Sequence, residues 1–281
     1  MDSRRRSLAP PLQTSVSPGS CDLRIGTSGW QYEHWRGVLY GDHQPHEEWL
    51  QTYVQAFSTV EVNNTFYRLP EASVFERWGR SVPDDFVFAV KASRYLTHIK
   101  RLGDPEEPVA RFVSRARQMG RALGPVLLQL PPTLEIEADR LRHTLEQFPT
   151  SVPVAVEFRH DSWWVPHVAA ILRERRAALV ISNRGGRWLE PVWDGHRVSD
   201  LWDTADWSYV RLHSGSASSG NYNDDELTDI ARRLEAMDRQ RAAYVYFNND
   251  AGGHAVRNAV TTSRSLGVVG WPMTRATETE R

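Results

Sequence analysis

The fold class predicted from this 281-residue sequence is α/β, a single (β/α)8 TIM-type barrel with an irregular sixth βα unit. Three observations predict it. Eight short β-type runs appear, most followed by a helical pattern, which argues for βα units and a parallel sheet. The length is close to the roughly 250 residues usual for such a barrel. No glycine-rich G-x-G-x-x-G turn follows the first run, where an open dinucleotide-binding sheet would carry one. Eight right-handed units can close or stay open, and the count and the missing turn favour closure. The barrel domain is expected over residues 21–273, between polar tails at 1–20 and 274–281 that are expected to be disordered.

The runs are Leu23–Ser28, Thr59–Asn63, Phe86–Lys91, Val126–Leu130, Val154–Arg159, Ala178–Asn183, Tyr209–His213 and Ala243–Asn248. Between them, apolar residues recur at helical steps. Leu50, Val54 and Phe57 mark one buried stripe, and Phe112, Ala116, Met119 and Leu123 mark another, which Gly124–Pro125 is expected to end. Asn223–Asp225 is expected to cap a helix that buries Leu227, Ile230, Leu234 and Met237. From Arg184 to Trp207, Gly185–Gly186, Pro191 and Gly195 interrupt the rhythm. The sixth helix is therefore expected to be short, displaced or missing.

Composition narrows the function classes. Hydrophobic residues at 40% and charged residues at 25% are ordinary for a chain with a full core. The net charge of −1 gives no global basic field to attract nucleic acid, though a local patch stays open. One cysteine, Cys21, excludes an intrachain disulfide framework and a cysteine-rich zinc site. The basic, then Pro/Ser-rich first twenty residues lack the apolar core of a secretory signal. A cytoplasmic protein with no membrane partner is the expectation.

Alternation within the strands predicts where function sits. Side chains of a strand point to opposite faces. Val60 and Val62 oppose Thr59, Glu61 and Asn63; Phe88 and Val90 oppose Ala89 and Lys91. Val154, Val156 and Phe158 oppose Ala155, Glu157 and Arg159; Val210 and Leu212 oppose Tyr209, Arg211 and His213. The apolar sets belong against the helices, so the polar sets point inward. Glu61, Lys91, Gln129, Glu157, Arg159, Arg211, His213 and Asn248 should then converge at the C-terminal mouth, where barrel enzymes act. The bland alternative is a balanced internal ion network with no chemistry.

Several segments also resemble the YecE-like family, known as domain of unknown function 72. They are IGTSGW (Ile25–Trp30), TVEVNNTFYRLP (Thr59–Pro70), FAVKAS with Thr97–His98, GPVLLQLPP (Gly124–Pro132), EFRHDSWW (Glu157–Trp164), YVRLH (Tyr209–His213) and YFNND…G…NA (Tyr246–Ala259). The resemblance implies a TIM-type barrel and no established activity or substrate. Ser214 departs from it, since family members commonly carry Gly after the seventh-strand His.

Two function classes fit these residues. In the first, a hydrolase or lyase acts on an anionic or phosphorylated substrate. Glu61 and Glu157 are the acid/base pair, Lys91 pairs with Glu61 or forms an imine, and His213 transfers protons. Arg159 and Arg211 hold negative charge, helped by backbone N–H groups near Asn249 and Gly253 and by the Ser214–Gly220 loop. Trp30, Tyr32, Asn63, Tyr67, His98, Gln129, His160 and Asn248 complete the substrate-contact set. In the second, the same arginine and aromatic lining grips a nucleotide or nucleic acid without catalysis. No cofactor is expected. A divalent metal finds little support, because no H-x-H or H-E-x-x-H motif is present and the one available set is Glu61, Glu157 and His213.

Overall fold

The computed structural model describes residues 22–189, 192–193, 196–197, 203–237 and 242–268. Both expected tails and Cys21 lie outside the described residues. Eight parallel strands form the barrel: β1 (Leu23–Ser28), β2 (Thr59–Val62), β3 (Val87–Lys91), β4 (Leu123–Gln129), β5 (Val154–Glu157), β6 (Ala178–Arg184), β7 (Trp207–Ser214) and β8 (Ala242–Phe247). Each pairs with its sequence neighbour, and β8 returns to β1, with Ile25 opposite Val245 and Gly26 opposite Tyr246. Tyr209 opposite Val180 and Arg211 opposite Ser182 join β7 to β6 and complete the closure.

Closure gives two cores. Val60, Val62, Phe88, Val90, Val156, Val210, Leu212, Val245 and Phe247 pack outward into one large cluster with the surrounding helices. Inside the barrel, Ala89, Leu127, Ala155, Ala178, Val180, Tyr209 and Tyr246 form a separate plug. Small residues on β3, β5 and β6 make room for the two tyrosines, as expected of a packed interior rather than a pore. The polar side chains stack above this plug.

The helices follow the apolar stripes. Trp49–Tyr53 is a short α1, whose Leu50 is buried with Val54 and Phe57 just beyond it. The later layer is α2 (Asn64–Tyr67), α3 (Ala72–Arg80), α4 (Glu106–Ala116), α5 (Ala138–Gln147), α6 (Pro166–Glu174), α7 (Asp224–Ala236) and α8 (His254–Ser265). At α7, Asn223 and Glu226 form a reciprocal capping box, and Leu227, Ile230 and Leu234 are buried. Among the described residues, no helix is long and apolar enough to cross a membrane.

One expectation needs correction. Gly124–Pro125 does not end a helix; both residues lie in β4. The helical path breaks earlier, at Gly120, whose φ of 60° is left-handed. A side chain at Gly124 would meet Val87 at 2.2 Å, so this glycine serves the close approach of β4 to β3. In the sixth unit, the described residues after β6 form no helix. A turn at Gly185–Gly186 sends Arg187–Leu189 back antiparallel to β6, and Val192–Trp193 pairs with His196–Arg197. Ser214 holds this turn: its Oγ accepts from Gly185 N at 3.0 Å and its carbonyl from Gly186 N at 3.1 Å.

Candidate active site at the barrel mouth

Arg211 leaves β7 toward the barrel axis and is fully buried. Its Nε and Nη2 donate to the two oxygens of Glu61 at 3.0 and 2.8 Å, a bidentate fork. Nη1 donates to Glu157 Oε2 at 2.6 Å and to Gln129 Oε1 at 3.1 Å. One guanidinium from β7 thus ties together β2, β4 and β5. Glu61 also accepts from Ser28 Oγ at 2.7 Å and from the Tyr209 hydroxyl at 2.6 Å. Glu157 Oε1 faces Arg159 Nη2 at 2.5 Å, His213 Nε2 at 3.1 Å and Ser182 Oγ at 3.2 Å.

These contacts decide the charge states. Burial alone would push the Glu61 carboxyl up, but the Arg211 charge and the donated hydrogen bonds outweigh it and hold the group below its ordinary range. For Glu157 burial is likewise overcome by Arg211 and His213, which bring it down to about 2. Both carboxylates are ionised at neutral pH with their lone pairs occupied. They are counter-ions to Arg211 rather than reservoirs of a transferable proton.

Lys91 behaves differently. It does not pair with Glu61 as expected, because Arg211 offers that carboxylate a planar fork that an ammonium cannot match. Its Nζ donates to Gln129 Oε1 at 3.1 Å and sits 4.3 Å from the centre of the Phe66 ring. Burial and the neighbouring Arg211 push the ammonium down to about 8, against the opposing pull of Glu61 and Glu157. His213 is fixed between strands: its Nδ1 lies 3.1 Å from Asn248 Nδ2, and its Nε2 lies 3.1 Å from both Glu157 Oε1 and Arg159 Nη2.

A cavity of about 660 Å³ opens over this layer, lined by Tyr32, Asn63, Tyr67, Lys91, Gln129, Pro132, Arg159, Arg184, Arg211, His213 and Asn248. Among the described residues, no acidic side chain lines it. Arg184 was missed by the sequence reading, although it stands two residues beyond Ser182 on the same face of β6 and alternation pointed to it. Gly29 shapes the wall: its φ of 95° is left-handed, and a Cβ there would sit 2.7 Å from the Tyr32 hydroxyl.

Five expected contact residues lie outside the cavity. Trp30 is buried edge-on to Trp78 at 5.3 Å, in the layer between helix and barrel. His98 packs behind Phe66 at 4.9 Å, with Nδ1 against Thr97 Oγ1. His160 caps a 3-10 turn by accepting from Ser162 N. Asn249 bridges Gly220 O and Asn258 Oδ1, and Gly253 precedes α8 with a left-handed φ of 75°. The Ser214–Gly220 loop spends its Ser216 N–H on Glu226, at 2.9 Å. Among the described residues, no group of three His, Cys, Asp or Glu is placed to hold a metal ion.

A family model described as a protein of unknown function, DUF72, matches residues 24–280. The chain belongs to the DUF72 family. It is 27% identical over 278 residues to the UPF0759 protein YunF of Bacillus subtilis, covering 84% of this chain and 92% of that one. It is 31% identical over 143 residues to the UPF0759 protein YecE of Escherichia coli, half of each chain. Among solved structures, a DUF72 protein from Thermotoga maritima superposes with a TM-score of 0.72 at 28% identity, over 87% of this chain and 99% of its own. A D-psicose 3-epimerase from Clostridium cellulolyticum shares the fold alone, with a TM-score of 0.53 at 10% identity over 89% of this chain and all of that one. The DUF72 barrel therefore carries its cationic mouth on a fold that itself dictates no reaction.

Proposed function

We propose that the mouth binds a small molecule bearing a phosphate or carboxylate group and performs acid–base chemistry on it, of a lyase type rather than a two-carboxylate hydrolysis. One observation carries the reading: Lys91, Arg159, Arg184 and Arg211 line the cavity, while the carboxylates that balance them lie behind Arg211. A ligand entering this space meets net positive charge in a setting of low dielectric, where ionic hydrogen bonds are strongest. Two buried side-chain atoms of residues lining the cavity, Arg159 Nε and Asn63 Oδ1, have no hydrogen-bond partner among the described residues. Lys91 and His213 are the proton-exchange groups. Glu61 and Glu157 hold Arg211 and His213 in place.

The volume of about 660 Å³ suits a metabolite-sized ligand. The alternative, a nucleotide or nucleic-acid binder without catalysis, draws on Tyr67, which stands 81% exposed at the rim. The reading is tested by thermal unfolding with inorganic phosphate against chloride at matched ionic strength. Phosphate should raise the melting temperature of the wild type, and Arg184→Gln should lose most of that rise. Equal melting temperatures in both salts, across phosphate and carboxylate ligands, would refute it.

A further inference from the structure

We infer that Lys91 is a covalent nucleophile, forming an imine with the carbonyl group of an aldehyde or ketone whose anionic group is held by the arginines of the mouth. The inference rests on the anion-binding reading above and names the substrate class for it. Its first support is composition. Of the 34 basic residues other than histidine, Lys91 and Lys100 are the two lysines, and every other one is arginine. The chain meets its needs for fixed positive charge with guanidinium throughout, including at Arg159, Arg184 and Arg211 in the same cavity. An ammonium differs in being able to release its proton and attack carbon, which a guanidinium cannot do at physiological pH.

Geometry supplies the second support. Lys91 ends β3 at the C-terminal mouth, is 9% exposed and faces the cavity. Among the described residues no carboxylate lies in ion-pair contact with it, since Arg211 occupies Glu61 and Glu157. Its hydrogen-bond partner is the neutral Gln129, and the Phe66 ring covers one side. Lys100 is the opposite case, ion-paired with Asp104 at 2.9 Å on the surface and held above its ordinary range by that hydrogen bond. With its pKa near 8, Lys91 is about one-quarter free amine at pH 7.5, against about one part in a thousand for an ordinary lysine.

The step balances without further reagents. The Nζ lone pair forms the C–N bond as the carbonyl π pair moves to oxygen, giving a carbinolamine. Nitrogen then releases a proton, the hydroxyl takes one up and leaves as water, and the C=N bond forms. Amine and carbonyl are consumed; imine and water result. Neither partner is oxidised or reduced.

The experiment uses the full chain with pyridoxal 5′-phosphate, an aldehyde carrying a phosphate, followed by borohydride reduction and peptide mass mapping. The expected result is one saturable adduct at Lys91, formed about tenfold or more faster than at Lys100, in keeping with their free-amine fractions. Inorganic phosphate should suppress it, Lys100→Arg should keep it, and Lys91→Met should lose it while retaining the circular dichroism spectrum of the folded wild type. Adducts at Lys100 or the N-terminus in preference to Lys91 would overturn the inference. If phosphate stabilises the wild type and Lys91 stays unlabelled, the anion site stands and the nucleophile falls. If pyridoxal lacking phosphate labels Lys91 equally and phosphate gives no protection, the nucleophile stands without the anion site.

Discussion

Replacing Arg211 by Met tests the centre of the mouth most directly. The change deletes two hydrogen bonds to Glu61 and one each to Glu157 and Gln129, leaving two buried carboxylates without their main counter-charge. Breaking a buried ion pair from one side costs about 3–5 kcal/mol. For a chain of this size each kcal/mol is worth about 2–4 °C, so a fall of about 6–20 °C is expected at pH 7.5.

The pH dependence identifies the cause. In the wild type both carboxyls sit below their unfolded values, so their contribution is complete above about pH 4.5 and is lost as pH falls toward 2. Without Arg211, Glu61 keeps only the hydrogen bonds from Ser28 and Tyr209 against its burial and its carboxyl rises, while Glu157 still has Arg159 and His213 beside it. The folded variant then binds protons more readily than the unfolded chain, and its deficit shrinks as pH falls from 8 toward 5. Melting curves from pH 5 to 8 read this out, and Arg211→Met with Glu61→Gln and Glu157→Gln should recover most of the loss. An Arg211→Met protein within 2 °C (about 1 kcal/mol) of wild type at pH 7.5, or a deficit that grows on acidification, would refute the reasoning.

Three further outcomes follow from the same structure. Lys91→Met should raise the melting temperature at pH 7 by about 4–8 °C, because burying the ammonium costs about 3 kcal/mol there and its hydrogen bond returns about 1. The folded state binds the Lys91 proton less well than the unfolded chain, so the gain fades as pH rises from about 8 toward 10.5, and a constant gain would exclude this cause. Gly29→Ala should destabilise by about 1–3 kcal/mol, since alanine resists a φ of 95° and its Cβ strikes Tyr32; chemical denaturation measures it. Asn223→Ala should lose about 1 kcal/mol with the α7 capping box and leave phosphate-dependent stabilisation unchanged, which separates global stability from the mouth.

Strand periodicity made most of the barrel legible in the sequence. A period of two fixes which residues share a face, so the inward direction of Glu61, Lys91, Glu157 and Arg211 followed once the apolar faces were set against the helices. Distances and partner choice were not legible. Glu61 and Lys91 both lie on the inward face of neighbouring strands, yet Arg211, 150 positions from Glu61 in sequence, takes the carboxylate. Loop residues suffered most: Trp30 and His160 follow strands that end at the mouth, but local turns direct them into packing and capping. Arg184 escaped notice because its segment broke the helical rhythm, although its place on β6 still obeyed alternation.

The position of Arg211 in the chain also bears on how the barrel is assembled. Glu61, Gln129 and Glu157 all emerge before β7, so six strands' worth of chain precedes the cation that neutralises them. A fragment ending after β6 would bring two carboxylates toward one axis with nothing to offset their repulsion except Lys91 and Arg159. Arrival of β7 supplies the missing charge one strand before β8 bridges β7 to β1 and seals the sheet. In chain order, charge neutralisation thus precedes ring closure by one strand, and Asn248, which follows β8, completes the mouth last.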